Sequence, residues 1–344
     1  MIISFNPQIF QITNENLQRD IAFILVYLFE NYHFLDISDL ENVFFEDDKF
    51  IFKENEIATQ FLSKKSLIEL EDFIFSIIGS STYVTQLHKK HLSKIRVGNK
   101  ENDITPNDTR RILLERAKVI VENGINDWNF IKGLVDKYES HKQRGVIYRL
   151  IKKAIRSDKL ESENAGGIGE IRKIAKELIN GRYKDIQTLK LMTIFDSDRD
   201  SATDFTKHKD EIAFFKNKEK QSVKNDDYNY SDGDIIIWHI LYKKKMENYL
   251  PLSVLLQELP AITIAQKTSL EGKTPDELDY IVYDSTSIGL GKGQIKNGFP
   301  TFFQKNFSYR DLETRCEHHL VWSDETQSEI TEIEQLLLKI AKII

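Results

Sequence analysis

Cysteine is nearly absent: Cys316 stands alone, which excludes an internal disulfide and agrees with a reducing compartment. Long apolar runs are missing too. The longest, Ile21 to Phe29, stops at Glu30, far short of the ~20 residues that cross a bilayer, so no membrane helix is expected. The N-terminus carries Asn6, Gln8, Asn14 and Glu15 where a secretory signal would have a basic start and a small-residue cleavage site. A cytoplasmic location is therefore the expectation. Excess positive charge is lacking, since 48 Lys and Arg against 54 Asp and Glu give a net charge of -6. That excludes a protein that coats nucleic acid indiscriminately and leaves any such binding to local basic patches. No phosphate loop ending in glycine-lysine-serine or glycine-lysine-threonine occurs, so there is no ATPase motif.

What is present supports folded domains. A chain of 344 residues, 40% hydrophobic and 30% charged, is long enough for two or three with their own cores. Residues 1–105 read as a mostly helical domain for regulation or partner binding, because LQRDIAFILVYLFENY and SLIELEDFIFSIIG follow a 3.6-residue period better than alternation. ENVFFEDDKFIF between them reads as a short hairpin. The polar segment VGNKENDITPNDTRR marks a boundary near residue 105, with Asn107 or Asp108 capping the next helix. Residues 106–260 alternate strand and helix, with strands at Lys118 to Glu122, Lys190 to Phe195 and Ile235 to Leu241. This order predicts an α/β domain with a parallel sheet flanked by helices. Residues 261–344 are expected to be a small C-terminal extension, containing the glycine-rich turn SIGLGKGQIKNGFP and ending in the amphipathic helix ITEIEQLLLKIAKII.

The chemistry concentrates where strands end in acids. In LMTIFDSDRD an apolar run stops at Asp196, Asp198 and Asp200, and in AKVIVENG another stops at Glu122. Parallel sheets gather ligands at such carboxyl edges, and carboxylate oxygens suit a hard cation such as Mg2+ or Mn2+. The DSDRDSATD run also resembles a calcium loop. Ser201 replaces the glycine of that loop, Lys207 its final glutamate, and a strand leads in where a helix should. An acidic loop without metal is the plainer alternative for any one cluster. Cys316, His318 and His319 lack the second half of a zinc site and read as ordinary side chains.

Taken in order, VIVENGINDWNFI, AGGIGEI, TIFDSDRD and YKKKMENYLP resemble the Toprim catalytic domain. The nearest branch is the nucleases of the overcoming-lysogenisation type and their DUF4435 relatives, and the likeness covers roughly residues 112 to 260. It implies a Toprim-like sheet, metal ligands at Glu122, Asp196 and Asp198, and a catalytic Glu247 within the Glu-Asn-Tyr element. Asp127, Asp200 or Glu247 would hold a second ion, and Glu122 is alternatively a general base. The chain departs from the pattern in the first turn: Asn123 and Asn126 occupy the places of a glycine and an aspartate, with Gly124 and Asp127 each one residue later. Ile168 stands where many relatives carry a lysine. The activity implied is a divalent-metal nuclease, DNA ahead of RNA, in bacterial anti-phage defence. An ATPase would be a separate polypeptide, and a homo-oligomer is allowed.

Basic residues supply the expected phosphate contacts. Arg149, Lys153 and Arg156 fall at helical spacing and are expected to line the cleft. Lys243, Lys244 and Lys245 are adjacent, and Lys244 is taken to face the phosphate. For either group alone, a solvated helix surface is the plainer reading. Two other functions compete with the nuclease: an inactive scaffold that binds nucleic acid or a partner, and a subunit of a Toprim topoisomerase or primase. The latter needs a nucleophilic tyrosine domain or zinc and helicase modules, of which the chain shows no sign.

Overall fold

Two parallel sheets organise the chain, which divides into a unit of Met1–Arg116 with Lys342–Ile344 and a unit of Ala117–Ala341. The computed structural model describes residues 1–344 apart from 31–32, 47–50, 54, 206, 259–261 and 284–300. The glycine-rich turn SIGLGKGQIKNGFP lies outside the described residues.

In the first unit, β1 (Ile2–Phe5) is the middle of a three-stranded parallel sheet, between β2 (Phe34–Asp36) and β3 (Lys94–Val97). All of β1 is buried, as a central parallel strand requires. Among the described residues, five α-helices accompany the sheet: α1 (Glu15–Glu30), α2 (Glu41–Phe44), α3 (Glu56–Phe61), α4 (Lys64–Lys89) and α5 (Pro106–Leu114). Helices dominate by length, but the sheet was not anticipated. Of the hairpin expected over ENVFFEDDKFIF, the first four residues form a short helix, α2, while Phe45 and Phe52 pair in an antiparallel bridge; residues 47–50 lie outside the described residues. The cap of α5 is Thr105, whose Oγ1 accepts from the Asp108 amide at 3.2 Å and donates to its carboxylate at 2.7 Å, with Pro106 at the first helical position. This helix packs on α1. The division therefore falls after Arg116, not near residue 105.

In the second unit the chain runs through β4 (Ala117–Val121), α6 (Asn126–Tyr138), α7 (Gly145–Arg156), β5 (Leu160–Asn164), α8 (Ile168–Asn180), α9 (Gln187–Lys190) and β6 (Leu191–Phe195). Then come α10 (Lys209–Phe215), β7 (Ile237–Ile240), α11 (Leu252–Glu258), α12 (Ile264–Glu271), α13 (Pro275–Tyr280) and α14 (Tyr309–Cys316). An antiparallel pair, β8 (Leu320–Ser323) and β9 (Ser328–Thr331), leads into α15 (Glu332–Lys342). The sheet is four-stranded, in the order β5-β4-β6-β7, and wholly parallel. An α/β class with parallel sheets flanked by helices is thus what the chain adopts.

Strand order sets the switch point. From β4 the chain steps one way to β5, then returns past β4 to β6. By the right-handed rule for parallel crossovers the helices of these two steps belong on opposite faces, which makes the carboxyl ends of β4 and β6 the place where such sheets open a crevice. Residues 261–344 are not a separate extension, because up to Ala341 they belong to this unit. Glu332, at the start of α15, accepts from the Tyr242 amide at 2.7 Å and from the Tyr249 hydroxyl, and lies 2.9 Å from His239 Nε2. No helix among the described residues is long and apolar enough to cross a membrane.

Candidate functional site

Glu122 leaves β4 directly into a turn that its own polar residues close. Asn123 Oδ1 accepts from the amides of Ile125 and Asn126, both at 3.0 Å, and Asp127 Oδ2 accepts from the Asn123 amide at 2.7 Å. Gly124 passes against the end of β5, donating to Asn164 Oδ1 at 3.0 Å. A Cβ there would sit 2.8 Å from that of Asn164, so the close approach favours glycine at 124. The turn returns the Asp127 carboxylate to the Asn123 amide, next to the end of β4.

The acids after β6 are held by the segment after β7. Asp196 Oδ1 accepts from the Met246 amide at 3.1 Å, Ser197 Oγ donates to Lys243 O at 2.8 Å, and the Asp198 amide donates to Lys244 O at 3.0 Å. Asp198 has φ 50°, a left-handed conformation that aspartate tolerates better than most residues. The two strand ends meet directly, with the Asp196 amide 3.3 Å from Glu122 Oε1.

Charge crowds this edge. Burial raises the Glu122 carboxyl, the Asp196 amide opposes that, and the charge of Asp198 adds to it. Burial likewise carries Asp127 up to about 7, against its hydrogen bond from Asn123 and with the charges of Glu122 and Glu247 adding. Asp196 is raised well above the usual range, by burial first and then by Glu247, Glu122, Asp127 and Asp198. Asp198 moves the other way, lowered by His208, whose Nε2 lies 3.6 Å from Oδ2, and by Lys245. Glu247 stands on the single turn Met246–Tyr249. Its neighbours are structural: Asn248 Nδ2 donates to Leu278 O at 2.8 Å and to Ile281 O at 3.0 Å, and Tyr249 bonds Glu332.

Glu122, Asp127, Asp196, Asp198 and Glu247 are therefore brought together, and the other predicted residues are not. Asp200 is largely exposed and paired to Lys244 and to Lys207, the latter at 2.9 Å, and those bonds hold its carboxyl at about 2. Lys244 is buried and also donates to Arg199 O at 3.2 Å, so it is not turned to a phosphate. Lys243 is sealed against Asp279 and Arg315 O. Lys245 is the one of the three lysines whose charge acts on both Glu122 and Asp198; that of Lys244 acts more weakly, on Asp198. Lys245 and His208 had no distinguishing signal in the sequence: one is the third of three equal lysines, the other lies beyond a polar loop. Arg149, Lys153 and Arg156 are exposed on α7 as expected, but that helix ends at the opposite edge of the sheet. The Lys159 carbonyl, just past its end, accepts from the amide of Ala117, the first residue of β4. These cations do not line the crevice.

Two tighter groups of potential ligands occur among the described residues: His141 with Glu313 and Glu334, and Asp276 with Asp279 and His318, each with its ligand atoms within 4.8 Å of one another. Both already have protein cations. Arg144 donates to Glu334, and Lys243 and Arg315 pair with Asp279. The carboxylates at the sheet edge are in neither group; several of their oxygens instead hold backbone amides. Their donor set is all oxygen and its negative charge outweighs the nearby cations, a composition that fits a hard divalent ion. No family model matches the chain, and comparisons with curated proteins and with solved structures found no match.

Proposed function

We propose that the chain is a divalent-metal-dependent nuclease of Toprim type, using the carboxyl edge of β4 and β6. The observation that carries this reading is the convergence of Glu122, Asp127, Asp196, Asp198 and Glu247 at the switch point of a parallel sheet, where burial first, and then their mutual repulsion, raises Asp127 and Asp196. Glu122, Asp196 and Asp198 would hold Mg2+ or Mn2+, with Asp127 and Glu247 for a second ion. Such an ion supplies Lewis acidity toward a phosphoryl oxygen and acidifies a bound water. The chain's own part is to fix these carboxylates through the Asn123 turn and the Lys243–Met246 backbone. Lys245 brings a positive charge toward a phosphodiester at the edge, and a carboxylate raised toward neutrality, such as Asp127, accepts a proton there. Nucleic acid is the substrate class, DNA ahead of RNA, and phage defence beside a separate ATPase is the setting that the resemblance implies.

Purified protein with Mg2+ or Mn2+, offered plasmid, linear DNA, tRNA and other RNA, tests the reading. Cleavage is expected with one of these, and Glu122→Ala, Asp196→Ala and Asp198→Ala should each abolish it while far-ultraviolet circular dichroism stays native. Folded variants that cleave at the wild-type rate would contradict the proposal.

A further inference from the structure

A second polar feature of the same unit takes no part in that chemistry. Arg199, between Asp198 and Asp200, lines a cavity of about 280 Å3 whose wall includes Trp238 and His239 of the edge strand β7. Arg199 is only 5% exposed. Its guanidinium lies among three rings, 4.7 Å from the centre of Phe205, 5.6 Å from Tyr228 and 5.7 Å from Tyr242. Among the described residues no acceptor bonds the guanidinium, and its Nε is shut off from solvent without a partner.

A buried guanidinium with no acceptor is costly, and ring faces offset only part of the cost. The carboxylate on the wall does not answer it, because Glu332 is already engaged by His239, the Tyr242 amide and the Tyr249 hydroxyl. A second cation is present at the wall: Lys339 Nζ donates to Trp238 O at 3.3 Å and lies 3.1 Å from His239 Nδ1. The amides of Asn229 and Gln335 complete a wall that is cationic, aromatic and rich in hydrogen-bonding groups. A planar five-donor fork in such a place matches phosphate oxygens.

We propose that this cavity binds the phosphate group of a nucleotide, with Arg199 as the anchor, whether the phosphate belongs to a free mononucleotide or to the end of a strand. The site is independent of the nuclease reading, since none of its residues belongs to the carboxylate cluster.

Calorimetric titration of the full chain in EDTA, which removes any metal-held phosphate at the sheet edge, tests it. AMP and inorganic phosphate are expected to bind at one site and compete, and adenosine is not expected to bind. A 5′-phosphorylated dinucleotide that binds more tightly than AMP identifies a strand end as the source; the reverse order identifies a free nucleotide. Arg199→Met should weaken AMP by about tenfold or more. Its thermal midpoint without ligand should hold or rise, because an unpaired buried charge is gone. Should that variant not fold, Arg199→Lys, which keeps the charge and loses the fork, is expected to weaken AMP several-fold. Absence of saturable binding of either phosphate or AMP by the wild type, or wild-type affinity in the folded variants, overturns the proposal.

Discussion

At the residue scale the site is a compromise between folding and charge. Asp127 in the folded chain is raised to about 7, by burial and then by Glu122 and Glu247, against its hydrogen bond from Asn123, whereas an unfolded aspartate titrates near ~3.9. The folded state therefore holds its proton longer, and stability falls as pH rises from about 4 to 7 and stays low above that. Asp127→Asn removes the charge and keeps an acceptor for the Asn123 amide. In EDTA it should stabilise the protein by roughly 1–3 kcal/mol at pH 8 and by almost nothing at pH 4 in urea titrations. A destabilised variant at pH 8 would mean that the carboxylate is not crowded. Glu122, Asp196 and Asp198 were legible in the sequence because each stands where a buried apolar strand stops abruptly. The cation that serves them was not. Adjacent lysines on an irregular segment point in directions that only the packing of Asp279 and Asp200 decides.

At the scale of elements, β4, β6 and β7 were readable as apolar runs, and β5 was not. LESEN carries no run of apolar residues because it is an edge strand; Lys118 of β4 pairs with its Glu161, at 3.4 Å, and with its Glu163. Without β5 the switch point cannot be drawn, and the basic face of α7 can be imagined at the wrong edge. The corrected placement changes the expected result there. Replacing Arg149, Lys153 and Arg156 together with Ala should leave the metal-dependent cleavage rate and the salt slope of binding nearly unchanged. A slope reduced by about two or more, measured in Ca2+, would show that nucleic acid runs over this face instead. Gly124 is the converse case, where an element depends on one missing Cβ. Gly124→Ala should cost about 1–3 kcal/mol by chemical denaturation, since the methyl meets Asn164 at 2.8 Å, and an unchanged midpoint would show that the turn has room.

At the scale of the whole molecule, a division into units was legible from the polar segment, but its place was not, because α5 comes after that segment in sequence and yet packs on α1 of the first unit. The C-terminal residues looked appended, yet Glu332 ties α15 to the segment that positions Asp196 and Asp198. The first unit has its own acid-sensitive joint. Burial raises the carboxyl of Asp36, but hydrogen bonds from Ser38 and from Lys94, the latter at 2.9 Å, overcome this and bring it to about 2. A carboxyl lowered on folding stabilises fully above pH ~4 and loses that effect as pH falls toward 2. Asp36→Asn is accordingly expected to cost about 1–2 kcal/mol at pH 7, shrinking below pH ~4 and vanishing only as pH falls through about 2, and a pH-independent loss would rule out the charge as its cause. The central claim is that the carboxylates ending β4 and β6 form a divalent-metal site. Calorimetric titration of Mn2+ into the wild type, Asp196→Asn and His141→Ala tests it most directly. Saturable binding in the wild type and in His141→Ala, lost in a folded Asp196→Asn, is the predicted result; no saturable binding by the wild type, or binding that Asp196→Asn retains, would contradict it.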